Sequence, residues 1–505
     1  MDLSDLIARN AAFTPDKAAL RFEGNTLTYA RFDARIAQTA RALKSDYGIA
    51  RGDRVAILSL NRPDYLVLLY ACARLGAMLV PMNFRLAVAE QMFILADAAV
   101  KMLFVERAFA DVIAPLREEL PEAKIVGLDF APENGLSLDA LLARANGDGR
   151  NPHVDLQAPL LIVYTSGTTG RPKGAVLRQE ALLWNGVMSQ HMHGLTSDDH
   201  ILTVLPFFHV GGLNIQTTPA LHHGATVTIH ARFAPDTTLK AFADDRPTLT
   251  VLVPATILAV TSHPAWTTAD LSSLKAISTG SQIVPQDLID RITARGVPVL
   301  QVYGSTETCP IAVYTRIKGD LARDGSTGLP GLWCEAKVID DDGHEVPAGI
   351  AGEIVVRGPN VFFEYWDNAA ATREALHDGW FRTGDIAMRD ADGYFFVQDR
   401  KKNMIISGGE NIYAAEIERV LLEHPDVADC GVIGRPDPKW DEVPVAYVIC
   451  REGAAPRADV LAAHVQAQLA RFKVPRDFIF VTELPRTALG KVQHFRLKQM
   501  AEDGT

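Results

Sequence analysis

The apolar run Leu160-Leu161-Ile162-Val163 leads directly into Tyr164-Thr165-Ser166-Gly167-Thr168-Thr169-Gly170-Arg171-Pro172-Lys173-Gly174, and this junction constrains the fold more than any other stretch. A buried strand must end there in a polar, glycine-punctuated loop. Gly167, Gly170 and Gly174 allow backbone conformations and close approaches that a Cβ forbids, Thr and Ser hydroxyls supply donors, and Lys173 adds a positive charge. That inventory suits a polyphosphate, although a Gly/Ser/Thr-rich loop taken alone reads equally as a surface linker. It is not a Walker loop, because Arg171 and Pro172 follow Gly170, and Gly174 stands where a Ser or Thr would hold magnesium. Nor is Ser166 on a nucleophile elbow, a pattern that requires Gly where Tyr164 stands.

Around the loop the chain alternates. Between residues 54 and 129, β-rich runs at 55–58, 78–80, 101–105 and 125–126 are separated by helical patterns, the rhythm of βα units on a mainly parallel sheet. The apolar stretch 65–80 contains Arg74 and ends at Pro81, so it reads as a buried helix followed by a strand, too short and too charged to cross a bilayer. A second alternating series starts near Leu160, with strands expected near 201–205, 225–229, 249–253, 274–278 and 297–302. After Gly304 come short strands at 336–339, 352–357, 385–389 and 394–398, around the turns Asp341-Asp342-Gly343 and Asp390-Ala391-Asp392-Gly393. The C-terminal part returns to α+β: a helix from Ala414 with Ile417, Val420 and Leu421 on one face, strands at 430–433 and 445–450, and a helix over 458–471. The charge cluster Asp399-Arg400-Lys401-Lys402 between apolar strands marks the boundary, or simply a solvated turn. The expected fold class is α/β. A large N-terminal domain, residues 1–399, holds two wound βα sheets plus a small β-rich subdomain, and a small α+β domain, residues 403–505, follows through 400–402.

Composition narrows the function classes. With 505 residues, 48% of them hydrophobic, the chain can bury large cores and divide into more than one domain. A net charge of -11 argues against nucleic-acid binding, so phosphates must be held by local charges. The five cysteines, Cys72, Cys309, Cys334, Cys430 and Cys450, are scattered and lack metal-ligand spacing, which fits a reducing cytoplasm. The start, Met-Asp-Leu-Ser-Asp-Leu-Ile-Ala-Arg, lacks a basic end and an apolar signal core. His191, His193, His222 and His223 lack metal-ligand spacing with nearby acids, and no metal is assigned to them.

The loop string as a whole resembles the phosphate loop of the adenylate-forming superfamily, which comprises acyl-CoA synthetases, nonribosomal peptide adenylation domains and firefly luciferases. Further motifs extend the resemblance over nearly the full chain. It implies that Thr165, Ser166, Gly167, Thr168, Thr169, Gly170 and Lys173 surround the ATP phosphates. Gln301-Val302-Tyr303-Gly304-Ser305-Thr306-Glu307-Thr308 resembles the adenine and magnesium motif. There Tyr303 and Gly304 would meet adenine, Thr306 a phosphate oxygen, and Glu307 would give Mg2+ a hard oxygen ligand. On residue type alone Tyr303 reads as a core aromatic and Glu307 as a surface acid. Trp380-Phe381-Arg382-Thr383-Gly384-Asp385 resembles the ribose motif, with Asp385 accepting from two vicinal hydroxyls and Arg400 as a second ribose contact, although Thr-Gly-Asp alone is an ordinary turn. Ser278-Thr279-Gly280-Ser281-Gln282 replaces the Gly-Gly-Ala-Pro of many relatives, which leaves a backbone role for Gly280 and Ser281.

Three further strings complete the resemblance. Pro485-Arg486-Thr487-Ala488-Leu489-Gly490-Lys491 matches the catalytic-lysine motif and implies that the Lys491 ammonium offsets charge between the attacking carboxylate and the triphosphate. Relatives are acetylated at this spacing, so a lysine acetyltransferase acting on Lys491 is an expected partner. Met404-Ile405-Ile406-Ser407-Gly408-Gly409-Glu410-Asn411-Ile412-Tyr413 resembles the segment that CoA ligases present after a mobile C-terminal domain rotates, with Lys402 the implied hinge and Ser407, Gly408 and Gly409 beside the pantetheine tunnel. A strand ending in a glycine turn is the plainer reading, and both can hold. Leu205-Pro206-Phe207-Phe208-His209-Val210-Gly211-Gly212-Leu213-Asn214 resembles the carboxylate-site segment. His209 would contact substrate there without taking a proton, because a carboxylic acid is already ionised at pH 7.

The resemblance implies an acyl-CoA synthetase using ATP, Mg2+ and coenzyme A: carboxylate and ATP give acyl-AMP and pyrophosphate, then CoA gives the thioester and AMP. An amino-acid adenylation enzyme is disfavoured because no carrier domain follows Lys491 and Phe207-Phe208-His209 lacks the Asp that pairs an α-ammonium. A luciferase-like oxidation has no distinctive residues here. A non-catalytic nucleotide-binding sensor would be expected to lose Lys491 or Glu307, and both are intact. Asn214, Gly280, Ser281, Gly304, Thr308, Cys309 and Pro310, expected near the acyl group, are mostly small and uncharged, and no arginine stands beside Tyr303 for a second carboxylate. The expected substrate is a medium- or long-chain fatty acid, with a hydroxycinnamate- or benzoate-like aryl acid as the alternative. Beyond this small-molecule carboxylic acid, ATP and CoA, a second copy in a homodimer is an expected partner; nucleic acid is not.

Overall fold

The computed structural model describes residues 1–143, 145, 147, 149–165, 172–281, 284, 286–317, 325–340, 342–400, 404–485, 492 and 494–502. The chain divides into two compact units, Met1–Phe84 with Leu95–Val163 and Gly174–Asp399, and Arg85–Ile94 with Tyr164–Lys173 and Arg400–Thr505.

The first unit holds two large sheets. One is ordered Glu364–Tyr365, Lys173–Arg178, Pro159–Thr165, Met78–Pro81, Arg54–Leu58, Met102–Val105, Lys124–Gly127 and Leu136–Ser137. Its central strands are parallel, with Val55 opposite Leu79 and Met102, and Val55, Ala56, Ile57 and Leu58 are fully buried. Helix Pro63–Leu75 accounts for much of that burial: proline opens it, Gly76 at φ 71° closes it, and its residues are buried from Asp64 to Leu75. Leu161 pairs with Leu79, so the strand entering the candidate phosphate loop belongs to this first sheet. The sequence pattern places it in the second series instead; an apolar run reports burial but not its neighbour.

The other large sheet runs Leu329–Pro330, Val313–Tyr314, Val299–Tyr303, Ala276–Gly280, Leu249–Val251, His200–Thr203, Thr226–Ile229, Ala18–Phe22 and Asn25–Thr28. The last two strands form a hairpin whose turn, Glu23 at φ 47° and Gly24 at φ 76°, suits the strand twist. Leu20 pairs with Val227, an N-terminal contribution that the sequence reading, beginning its strands near residue 54, did not include. A smaller sheet of Glu335–Ile339, Ala351–Arg357, Trp380–Arg389, Leu376–His377 and Phe395–Arg400 is the β-rich part. One contiguous apolar core joins these elements.

The second unit is built on Val427–Asp437 paired with Asp441–Cys450; the latter strand also pairs with Met404–Ser407, which forms a hairpin with Glu410–Tyr413, and in parallel with Asp477–Phe480. Strand alternation sends Val432 and Val448 to a core with Ile417 and Leu421 of helix Ala414–Leu422, and Ile433 and Tyr447 to a second core with Leu497. The helix expected over 458–471 ends at Gln468, and a short turn Arg471–Lys473 follows. Lys473 is buried there, 2.6 Å from Glu90 and 2.9 Å from Glu416. Among the described residues no helix is long and apolar enough to cross a membrane.

Candidate functional site

Ala276–Gly280 and Val299–Tyr303 lie side by side with Gly280 opposite Val302, and both release the chain at their C-terminal ends, where open α/β sheets bind ligands. A Cβ on Gly280 would sit 2.2 Å from the Val302 carbonyl oxygen, and one on Gly304 1.7 Å from that of Pro310, so both sites require glycine. Ser281 follows in the left-handed region, at φ 74°. Tyr303 is half-buried at the strand end. Its hydroxyl donates to Asp385 Oδ2 at 2.8 Å, which brings the adenine and ribose candidates together. Asp385 owes its position to a bulge: Val355 pairs with Arg382 but Glu353 with Ile386, so the residues between are pushed out of register. Gly384 takes φ 71° there, its N–H donates to Glu353 Oε1, and the Asp385 N–H donates to Thr383 Oγ1.

After Gly304, the Ser305 N–H donates to Thr308 Oγ1 at 2.9 Å and a tight turn over Thr306–Thr308 follows. Thr306 is half-buried, whereas Glu307 is only 8% exposed and so not a surface acid. The Tyr365 hydroxyl donates to Glu307 Oε1 at 2.8 Å. Among the described residues no Lys or Arg pairs with Glu307. A buried carboxylate with one hydroxyl partner and no cation is costly, and a hard dication is the group it fits.

On the acyl side His209 is exposed just before the short helix Val210–Asn214, its ring 4.4 Å from that of Phe208. Asn185 of helix Gln179–His193 donates to the Asn214 carbonyl at 2.6 Å and accepts from the Ile311 N–H at 3.1 Å. It thereby joins the His209 segment to the residues after Glu307. Asn214 Nδ2 lies 3.5 Å from Cys309 Sγ. One and two turns along the same helix face stand Ser189 and His193. His193 Nδ1 is 2.8 Å from the Ser189 carbonyl, to which it must donate, so Nε2 accepts from Ser278 Oγ at 2.8 Å. Gln216 Nε2 donates to the same Ser278 oxygen at 3.2 Å. Burial pushes the His193 pKa down to about 4, so the imidazole is neutral. The sequence reading missed this network; the spacing of Asn185, Ser189 and His193 by four was its visible trace.

In the second unit Thr165 Oγ1 lies 3.4 Å from the Lys173 carbonyl oxygen. Ser166, Gly167, Thr168, Thr169 and Gly170, together with Lys402, Lys491 and the side chain of Arg400, lie outside the described residues. Ser407 is buried and ends its strand at a two-residue turn, Gly408 at φ 56° and Gly409 at φ 81°. The Gly408 N–H donates to the Trp440 carbonyl at 2.8 Å, and a Cβ on Gly408 would lie 2.8 Å from the indole. Trp440 is 43% exposed beside this turn, with Lys439 Nζ 4.8 Å from its ring centre. Nothing in the sequence linked Trp440 to Gly408.

The profile described as AMP-binding enzyme matches residues 7–366, and the one described as AMP-binding enzyme C-terminal domain matches 416–491. The chain is similar to the indoleacetate–CoA ligase of Aromatoleum aromaticum, 49% identical over 502 residues that cover 99% of this chain and 98% of the relative. It is similar to a feruloyl-CoA synthase of Amycolatopsis sp, 41% identical over 485 residues and 96% of each chain. A solved structure of the o-succinylbenzoate CoA synthetase of Bacillus subtilis superposes with a TM-score of 0.87 at 32% identity, covering 98% of this chain and 97% of that one. The chain belongs to the AMP-binding enzyme family, the adenylate-forming superfamily. It is an ATP-dependent, AMP-forming acid–CoA ligase, with ATP and CoA as substrates and Mg2+ as the usual metal. The three relatives are named for indoleacetate, ferulate and o-succinylbenzoate, which favours the aryl-acid alternative over the first substrate expectation.

Proposed function

We propose that this ligase activates a neutral aryl or arylalkyl acid, with an arylacetate first. The 49% identity over nearly the full length to a relative named for indoleacetate carries that reading. Charge supports neutrality: residues 209–214, 278–281 and 303–311 contain no Arg or Lys to match a second carboxylate. The five free cysteines, four of them buried, support a reducing cytoplasm.

In this reading the phosphate loop from Thr165 to Lys173 holds the triphosphate, while Tyr303 stacks on adenine and Asp385 accepts from the ribose. Glu307 would hold Mg2+, which supplies charge neutralisation at the phosphates. Lys491 brings an ammonium to the α-phosphate as the carboxylate attacks and pyrophosphate leaves. The acyl carbon then gains sulfur and loses AMP, with the Ser407–Gly408–Gly409 turn and Trp440 lining the thiol's approach. His209 contacts the acid, Lys402 is the hinge, and acetylation of Lys491 removes the charge that the first step uses.

Pyrophosphate release with ATP and Mg2+ tests the proposal over indole-3-acetate, phenylacetate, ferulate, 2-succinylbenzoate and octanoate, each with and without CoA. The expected result is multiple turnover with an aryl or arylacetic acid only when CoA is present. Turnover favouring octanoate would refute the substrate class, and release indifferent to CoA would refute the thiol acceptor.

A further inference from the structure

Residues 360–366 touch three of the site's motifs at once. Asn360 donates from Nδ2 to the carbonyls of Thr308 and Ile311, at 2.9 and 2.8 Å. The Phe362 N–H donates to the Glu307 carbonyl at 2.7 Å, and its ring packs 5.4 Å from Phe381, on the strand that carries Asp385. Glu364 and Tyr365 pair with Val176 and Ala175, and the Trp366 N–H donates to the Gly174 carbonyl at 2.7 Å, all on the strand that leaves the phosphate loop. The Tyr365 hydroxyl closes the circuit on Glu307 Oε1.

A Glu side chain has three rotatable torsions, so a metal-ligating carboxylate needs something to hold it. Glu307 is gripped at its backbone by Phe362 and at one carboxylate oxygen by Tyr365, three residues apart on one segment. Among the described residues Oε2 has no partner. Tyr365 is itself only 9% exposed, and its ring lies 4.7 Å from that of Phe362, so the phenol has little freedom. Because Tyr365 is paired opposite Ala175, its hydroxyl is registered to the strand that follows Lys173 and Gly174.

We propose that Tyr365 is a positioning residue for the magnesium–nucleotide site: its hydroxyl occupies one oxygen of Glu307 and aims the other at the metal, in register with the strand leaving the phosphate loop. This rests on Glu307 being the metal ligand. Partners that orient a ligating carboxylate raise metal affinity, and their loss costs about ten- to hundredfold.

The test uses the full chain with Mn2+ as probe, its free signal read by electron paramagnetic resonance in the presence of α,β-methylene-ATP. Tyr365→Phe removes only the hydroxyl. It should weaken Mn2+ binding about ten- to hundredfold, raise the Mg2+ needed for half-maximal pyrophosphate release by the same factor, and leave KM for the acid and metal-free nucleotide binding unchanged. Replacing Tyr365 by 4-aminophenylalanine, which keeps the ring and a weaker donor at the same place, should restore part of the affinity. Where Tyr365→Phe does not fold, 4-fluorophenylalanine at position 365, which keeps the ring and its bulk but donates no hydrogen bond, takes its place, and wild-type affinity in it overturns the proposal. Unchanged Mn2+ binding in Tyr365→Phe with loss in Glu307→Gln overturns the positioning role and leaves the metal reading intact. Unchanged binding in both overturns the metal reading as well. Equal loss of metal-free nucleotide binding in Tyr365→Phe would make its role structural and also overturn the proposal.

Discussion

Asn360→Ala tests whether one amide holds the metal-motif turn in place. Asn360 is fully buried, and its Nδ2 is the described donor to two carbonyls, Thr308 at 2.9 Å and Ile311 at 2.8 Å. Truncation removes both bonds and leaves two backbone acceptors in a site without solvent. Each orphaned buried group costs about 1–3 kcal/mol, so the pair costs about 2–5 kcal/mol after partial relaxation. The loss is local, and hydrogen exchange read by mass spectrometry on peptides spanning residues 300–315 is the matching assay. At about 1.4 kcal/mol per tenfold, a loss near 3 kcal/mol speeds exchange there about a hundredfold, while peptides of the second unit stay unchanged. Asn360→Asp sharpens the test. It is isosteric, yet an ionised carboxylate cannot donate and would face two carbonyl oxygens, so it should be worse than Ala. Exchange within about threefold of wild type in Asn360→Ala, or an Asp variant milder than Ala, would refute the reasoning.

Three further outcomes follow from buried or strained groups. Burial holds the His193 pKa at about 4 against an ordinary 6.5, and pushes that of His222 down as well. The unfolded chain therefore binds more protons than the folded one between those values, so this stability is fully present above pH 6.5 and is lost as pH falls towards 4. His193 alone accounts for about 3 kcal/mol, and urea midpoints measured across that window should fall with a slope that His193→Gln reduces. Gly408→Ala places a Cβ 2.8 Å from Trp440 at a φ of 56°. Single-turnover kinetics should show thioester formation about tenfold slower with acyl-AMP formation unchanged, whereas equal losses would sink the CoA assignment of that turn. Lys473→Met leaves the buried carboxylates of Glu90 and Glu416 without their cation. The second unit should lose about 3–5 kcal/mol, read as an earlier calorimetric transition that Glu416→Gln added to Lys473→Met partly restores.

The strands were legible because buried parallel strands are apolar runs; Arg54–Leu58, Met78–Pro81 and Met102–Val105 lie where the sequence put them. Their partners were not legible. The run at 160–163 looks like the start of the second series, yet it pairs with Leu79, a choice made by three-dimensional packing that no local pattern encodes. The same division runs through the site. Tyr303, Glu307 and Asp385 stand in compact strings whose chemistry is local, a ring or a carboxylate at a strand end or bulge, so they could be picked out. Tyr365, Asn360, Trp440 and His193 matter through partners far along the chain: Tyr365 meets Glu307 across 58 residues and His193 meets Ser278 across 85.

That asymmetry carries a physical lesson about the 360–366 segment. A residue that touches ligand must be of one chemical type, and type is visible in sequence; a residue that orients it needs only the right donor at the right end of a sheet. The two-residue pairing of Glu364 and Tyr365 with Val176 and Ala175 is too short to show any strand periodicity, and it is this pairing that sets where the phenol points. Shifting the register by one residue would turn Tyr365 to the opposite face and take its hydroxyl from Glu307 without altering any residue expected to touch ATP. Under the proposed role of Tyr365, metal affinity depends on sheet register as well as on the candidate site residues, and a change in the pairing of 364–365 should weaken Mn2+ binding as Tyr365→Phe should.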